Sequence, residues 1–280
     1  MAAGSVETVK ELRDRTGAGM MDCKAALEAS GGDVEKAIDV LRKKGMAQAD
    51  KRAGREAKEG LIASRTDGTK TALVEVNCET DFVARTDDFR KLAELALDEV
   101  LANGEAAVSA PKVADRVSEL SGKIGEKIFV KRARVLDSQN AAFVYIHANH
   151  KLGVLVEIAV SKADSKKTAA FQEFGKNIAM QVAAGNPICI TRSQVPAAVI
   201  ERETAIFREE IKGKPDNIAG KIVQGKLDKF YQTSCLVEQA FIKDDKISVQ
   251  RLLDETAKKI GDTIQIKQFA RFQLGENDKK

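Results

Sequence analysis

The sequence predicts an α+β protein with an antiparallel-sheet core. Apolar residues recur at helical spacing in three short runs near the start. Beyond Gly60 the period changes to the alternation of strands, and two of the later strand-like runs are joined as a hairpin through Asn149-His150-Lys151-Leu152-Gly153.

Composition bounds the functional classes. A chain of 280 residues with 43% hydrophobic content can bury a sizeable core as one large or two ordinary domains. Aromatic residues are scarce, there is no Trp, and Ala, Lys and Glu favour helices on a solvated surface. The net charge of +4 does not describe a polyanion binder, although basic segments occur within the chain. No stretch is apolar for long enough to cross a bilayer, and Met1-Ala2-Ala3-Gly4-Ser5-Val6-Glu7 lacks the pattern of an export signal. A soluble, unexported, cytoplasmic protein is therefore expected. Cys23, Cys78, Cys189 and Cys235 lie far apart, without a CxxC pair, and are expected to be reduced and mostly buried. His147 and His150 are the only histidines, too few for a His-based metal site or a Ser-His-Asp arrangement. Every Gly-Lys pair is followed by Ile, Leu, Asn or Pro, so no P-loop is present. Neither an enzymatic activity nor a cofactor is expected.

The elements follow in order. Val6, Val9 and Leu12 face one way on a first helix; Met20, Cys23 and Leu27 on a second; Val34, Ala37, Ile38 and Leu41 on a third, with Asp33 as its cap. Adjacent Met20 and Met21 cannot both point inward, so they either cover the small core between them or offer an adaptable contact. Ala47 to Glu59 is charged and Ala-rich, as in a solvated helical linker. Leu61 to Arg65, the turn Asp67-Gly68-Thr69 and Thr71 to Cys78 form a hairpin with Ala72, Val74, Val76 and Cys78 on one face. A helix from Asp87 to Leu101 buries Phe89, Leu92, Ala93, Ala96 and Val100, and Pro111 starts another that ends at Gly122 or Gly125. Strands are expected over Lys127–Leu136, Ala142–Ala148 and Gly153–Val160. The first is basic through Lys127, Lys131, Arg132 and Arg134, either a charge-protected solvated edge or a nucleic-acid surface. Lys166 to Ala184 is an amphipathic helix. Two charged helices, Ser193–Lys212 and Asp216–Tyr231, break at Gly213-Lys214-Pro215 and form a hairpin. Its seam is expected from Val199, Ile206 and Ile211 against Ile218, Ile222, Leu227 and Phe230. A helix through Val249, Leu252, Leu253 and Ala257 and a strand from Ile264 to Phe272 complete the fold.

Asn77-Cys78-Glu79-Thr80-Asp81-Phe82-Val83-Ala84-Arg85 leaves a strand and enters a helix, a place where a scaffold fixes side-chain directions. Either Asp81 caps a turn and Phe82 enters the core, or both face a partner. Glu79 and Asp81 as paired carboxylates of a hydrolase have no companion cluster in the sequence.

Two segments carry a family resemblance. Val9-Lys10-Glu11-Leu12-Arg13 followed by Thr16-Gly17-Ala18-Gly19-Met20-Met21-Asp22-Cys23-Lys24, and Asn77-Cys78-Glu79-Thr80-Asp81-Phe82-Val83, resemble the two signatures of bacterial elongation factor Ts. Lys123-Ile124-Gly125-Glu126 and Tyr145-Ile146-His147 leading to Gly153-Val154-Leu155-Val156 agree with it. The resemblance implies guanine nucleotide exchange on elongation factor Tu, the GTPase that delivers aminoacyl-tRNA. It also implies a division into a ubiquitin-associated-like three-helix module over residues 1–46, a helical linker over 47–59 and a core N-subdomain over 60–139. A core C-subdomain over 140–186 and 237–274, a coiled-coil hairpin inserted at 187–236 and a tail over 275–280 complete that plan. Asp81 and Phe82, with Thr80 and Val83, would press beside the partner's Mg²⁺ and phosphate site, Phe82 wedging between helices. Arg13, Met20 and Met21 would grip a helix near the guanine side, and His147 a more distant domain. The hairpin is a handle for a partner or for a homodimer. Some family members carry a further C-terminal helical module, which is expected to be missing or replaced here. No direct nucleic-acid or membrane partner is expected. The alternative is a ribosome- or RNA-associated protein that uses the basic strand and the N-terminal helices.

Overall fold

A computed structural model of the chain describes residues 5–52, 54–211 and 215–276. The start of the N-terminal stretch, most of the Gly213-Lys214-Pro215 break and the end of the tail lie outside the described residues. The chain is an α+β protein, and its contacts form two compact units. The first holds the chain up to Asp137, Ile146–Leu152 and the segment from Phe272; the second holds Ser138–Tyr145 and Gly153–Arg271.

The first unit begins with α1 (Val6–Thr16), α2 (Met20–Ala29) and α3 (Val34–Arg52). The Ser5 hydroxyl caps α1 by accepting from the Thr8 amide at 3.2 Å, and Asp33 caps α3 by accepting from the Lys36 amide at 3.1 Å. Leu12, Cys23, Ala26, Leu27 and Ala37 are buried together, with Val34, Ile38 and Leu41 packed around them. Val6, expected on the buried stripe, is instead exposed, and so is Met20, whose position the sequence leaves open. Each is the first residue of its helix, and helical side chains lean toward the N-terminus, which carries these two beyond the packed turns. The third helix continues to Arg52, into the stretch expected to be a helical linker. Gly45 does not stop it, because Gly45 meets Gly122 of α6 (Pro111–Ile124) at a close helix crossing.

Three antiparallel strands follow, β1 (Glu59–Asp67), β2 (Lys70–Cys78) and β3 (Phe129–Asp137), in spatial order β1-β2-β3. Between β2 and β3 lie the single-turn helix α4 (Asp81–Ala84), then α5 (Asp87–Asn103) and α6. Ala72, Val74, Val76 and Cys78 pack against Phe89, Leu92, Ala93, Leu97 and Val100 of α5, as the alternation predicts. The opposite face of β2 is buried as well: Leu73 packs with Ile62, Phe272 and Ile146. Glu75 is 0% exposed on that face.

Glu75 explains the basic strand. Its carboxylate meets Arg132 Nε at 2.7 Å and Lys131 Nζ at 3.6 Å, and accepts from the Gly275 amide at 3.2 Å. Consecutive strand residues normally face opposite ways. Here the register slips between Glu75 and Val76, pairing them with Arg132 and Val130, and the bulge at Lys131 turns both cations to one carboxylate. Arg132 also lies 4.3 Å over the Phe272 ring. The expectation of a solvated basic edge is therefore corrected: β3 is an edge strand, but Lys131 and Arg132 are mostly covered and compensate a buried acid.

In the second unit, all but the last residue of β4 (Ala141–Ile146) and all but the first of β5 (Leu152–Val160) precede α7 (Ala169–Gly185), the hairpin helices α8 (Ala197–Glu210) and α9 (Asp216–Ser234), the short strands β6 (Ala240–Phe241) and β7 (Asp244–Ser248), then α10 (Val249–Ile260) and β8 (Ile264–Gln273) as far as Arg271. The larger sheet has the order β4-β5-β8. Phe171, Phe174, Ile178 and Val182 of α7 are buried. The seam of the helical hairpin differs from the one expected. Val223 is its buried residue, while Ile206 and Ile218 are exposed. Apolar packing concentrates at the hairpin's root, where Val195, Cys189 and Cys235 gather Val199, Ile200, Phe230 and Tyr231. Arg192 fastens the same root, pairing with Asp228 at 2.8 Å and Glu238 at 2.5 Å. The β6–β7 pair was not foreseen, because strands of two and five residues are too short to display a period.

Arg132→Met, which leaves Glu75 buried with weaker compensation, is expected to lower stability by about 3 kcal/mol in urea unfolding. Gly60 adopts φ +142°, and a Cβ there would fall on the Val76 carbonyl. Gly60→Ala is thus expected to lower stability by at least about 2 kcal/mol in the same measurement.

Candidate functional site

The Asn77–Arg85 stretch is a braced turn at the end of a strand buried on both faces. Cys78 faces the core and donates its thiol to the Thr80 carbonyl at 3.0 Å. Burial, reinforced by Glu126, pushes that thiol up to about 12, so Cys78 is a packing residue and not a nucleophile. The Glu79 carboxylate accepts from the Lys127 amide at 2.6 Å and from Arg55 at 3.2 Å. Those bonds, the Lys127 amide first, hold its carboxyl below the usual range. In the opposite direction, Glu126 accepts from the amides of Glu79 at 3.1 Å and Thr80 at 3.0 Å, and from the Thr80 hydroxyl at 2.6 Å. Glu79 is thus committed to the scaffold, which removes half of the paired-carboxylate arrangement.

Thr80, and not Asp81, caps α4: its hydroxyl accepts from the Val83 amide at 3.5 Å. Val83 is buried and roots the turn, and the Thr86 hydroxyl donates to its carbonyl at 2.8 Å before capping α5. The two residues between these anchors point outward. Phe82 is 80% exposed, which overturns the alternative that it fills the core. Asp81 is partly exposed and pairs with Arg85 at 2.8 Å. A large aromatic ring held in water by a rooted turn has no role in the packing of this unit.

Beside Asp81 runs a groove bordered by Ala84, Arg85, Arg90, Glu94, His150 and Lys151. His150, with φ +56°, reaches this groove, whereas His147 does not line it. His147 is exposed in the turn before β5, where its amide donates to the Leu152 carbonyl at 2.9 Å. The turn therefore places the two histidines apart, His150 on the groove and His147 off it.

A second exposed set lies on the three-helix region of the same unit. Met20 is 55% and Met21 76% exposed, so neither covers the small core. Arg13 is exposed on the last turn of α1, and Gly17 reverses the chain there at φ +65° with its amide on the Arg13 carbonyl. Arg13 and the methionines thus flank one connection, Thr16 to Gly19.

Sequence patterning did not single out Glu126 or the role of Glu79. Their contacts join segments far apart in the chain and obey no helical or strand period. The one sequence signal was that Lys123-Ile124-Gly125-Glu126 accompanied the two longer motifs. Among the described residues, no three His, Cys, Asp or Glu side chains are grouped to hold a metal ion. No described helix is long and apolar enough to cross a membrane.

Comparison with known proteins gives the chain's family. Residues 79–276 match the family model described as "Elongation factor TS". The chain is 47% identical to the elongation factor Ts of Prosthecochloris aestuarii over 98% of this chain and 100% of that protein. It is 43% identical to that of Chloroherpeton thalassium over 99% and 100%, and 42% identical to that of Nitratidesulfovibrio vulgaris over 96% and 95%. On that identity and coverage, the chain belongs to the elongation factor Ts family.

Proposed function

We propose that this chain is a guanine nucleotide exchange factor for elongation factor Tu, promoting GDP release during translation elongation. It acts by displacing elements around the partner's Mg²⁺ and phosphate site. The single observation that most supports this beyond family membership is Phe82, exposed on a turn that five hydrogen bonds and a buried valine hold in place.

The physical task is a linkage problem. A nucleotide held at nanomolar affinity represents about 12 kcal/mol of binding. The factor binds the empty GTPase more tightly than the GDP form, and GDP weakens the factor's binding by the same ratio. It needs no covalent chemistry, and the exchange role requires no nucleophile or general base in this chain. Phosphate affinity rests on a metal ion and backbone amides in fixed positions, so a rigid wedge that shifts them is an efficient lever. Phe82 supplies the wedge. Asp81 lies next to it, where its charge acts on the surroundings of the metal and phosphates. Thr80 and Val83 set the turn's geometry. Arg13, Met20 and Met21 form a separate grip, methionine adapting to an apolar helix face and Arg13 supplying charge. His147 makes a further, peripheral contact.

The setting of this activity is the cytoplasm, where the GTPase works. The exposed Ile206 and Ile218 support the helical hairpin as an additional contact, with the partner or with a second copy of the chain. The RNA-associated alternative is weakened by how the basic strand is used. Lys131 and Arg132 meet Glu75, Arg134 meets Glu105 at 3.4 Å, and Lys127 donates to the Arg55 carbonyl at 2.9 Å.

In release of labelled GDP from purified elongation factor Tu, the chain is expected to accelerate release. Phe82→Ala, folded as judged by circular dichroism, is expected to lose at least about 30-fold of that acceleration, equivalent to about 2 kcal/mol. Full stimulation by a folded Phe82→Ala would exclude the wedge. Binding to the partner is expected to weaken with excess GDP; RNA binding falling steeply with salt would favour the alternative instead.

A further inference from the structure

Phe82 is 80% exposed, so packing within its own unit does little to aim the ring. Its direction is set by the backbone of α4, a helix of four residues. A single helical turn is not stable alone, because fixing its dihedrals costs more than one hydrogen bond returns. Val83 anchors the residue after Phe82. What anchors the residues before it is a carboxylate 46 positions farther along the chain.

Glu126 places both carboxylate oxygens on this turn. One accepts from the Glu79 and Thr80 amides, the other from the Thr80 hydroxyl at 2.6 Å. Hydrogen bonds to an ionised acceptor are shorter and stronger than neutral ones. Glu126 is itself fixed, since its carbonyl accepts from the Ser121 hydroxyl at 2.5 Å and the adjoining Lys127 amide is held by Glu79 at 2.6 Å. The two segments thus hold each other reciprocally, carboxylate of each on amide of the other, and Thr80 begins the turn that bears Asp81 and Phe82.

We propose that Glu126 is a positioning residue for nucleotide exchange: without touching nucleotide, it aims the Asp81–Phe82 turn by holding the amides of Glu79 and Thr80 and the Thr80 hydroxyl. The inference rests on Phe82 being the exchange wedge. Its consequence is kinetic. Loss of the brace leaves the Arg13, Met20 and Met21 grip in place, so the complex still forms while the wedge is applied poorly.

The test uses the full chain, purified elongation factor Tu loaded with labelled GDP, and the rate of GDP release against chain concentration. Glu126→Ala is expected to lower the maximal stimulated rate about tenfold while moving the half-saturating concentration less than about threefold. It is also expected to speed hydrogen exchange at the Glu79 and Thr80 amides while the β2 amides keep their protection. Glu126→Gln, whose side-chain oxygen still accepts both amides, is expected to recover most of the rate. An unchanged maximal rate for Glu126→Ala, a loss confined to the half-saturating concentration, or equal losses in the Ala and Gln variants would each overturn the proposal. Should Glu126→Ala not fold, Glu126→Asp, which draws the carboxylate back by one methylene and leaves the Thr80 cap intact, is expected to show the same rate-selective loss, several-fold in size; its absence would overturn the proposal equally. Wild-type chain that fails to accelerate release would refute the exchange function itself. Acceleration that Phe82→Ala abolishes and Glu126→Ala preserves would refute the positioning role alone.

Discussion

The first unit is built around a strand with no solvated side. β2 is covered by α5 on one face and carries a fully buried carboxylate, Glu75, on the other. An ionised acid in that position is tolerable only with close compensation. The bulge at Lys131, the inward turn of Lys131 and Arg132, the stacking of Arg132 on Phe272 and the Gly275 amide on Glu75 all follow from that requirement. A strand fixed so firmly leaves its last residues, Asn77 and Cys78, with little freedom, and the turn that bears Asp81 and Phe82 starts from them.

At that end the same logic recurs at the surface. Two carboxylates, Glu79 and Glu126, each hold an amide of the other's segment. Glu79, which with Asp81 resembled a catalytic pair on paper, serves here as a brace while Asp81 pairs with Arg85, and what is left is mechanical: a rigid strand end, a capped turn and an aromatic ring in water. On the proposed wedge role, stiffness is a functional property, because a compliant wedge would deform before the partner's packed interior did.

Legibility in the sequence followed the range of the interactions. The helices over Val6–Thr16 and Asp87–Asn103 and the β1–β2 hairpin were readable, because local period and turn residues encode them. The two motifs pointed to Asp81, Phe82, Arg13, Met20 and Met21, and the structure leaves Phe82 and both methionines exposed. What could not be read depends on pairs distant in the chain. The burial of Glu75, the true use of Arg132 and the brace through Glu126 need the sheet order and one bulged residue, neither of which leaves a periodic trace. The exposure of Val6 escaped the stripe count because position in the first turn, and not spacing, decided it. The hairpin seam shifted for a related reason: packing collected at its root around Cys235, Phe230 and Tyr231 and left Ile206 and Ile218 in water.

The central claim is that a rigid surface element of this chain trades binding energy against GDP. It is tested most directly by titrating the chain against elongation factor Tu in its GDP-loaded and nucleotide-free forms and comparing the two dissociation constants. The account predicts much tighter binding to the empty form, with a ratio equal to the factor by which the chain weakens GDP. Equal affinity for the two forms would contradict it, however tightly the chain binds.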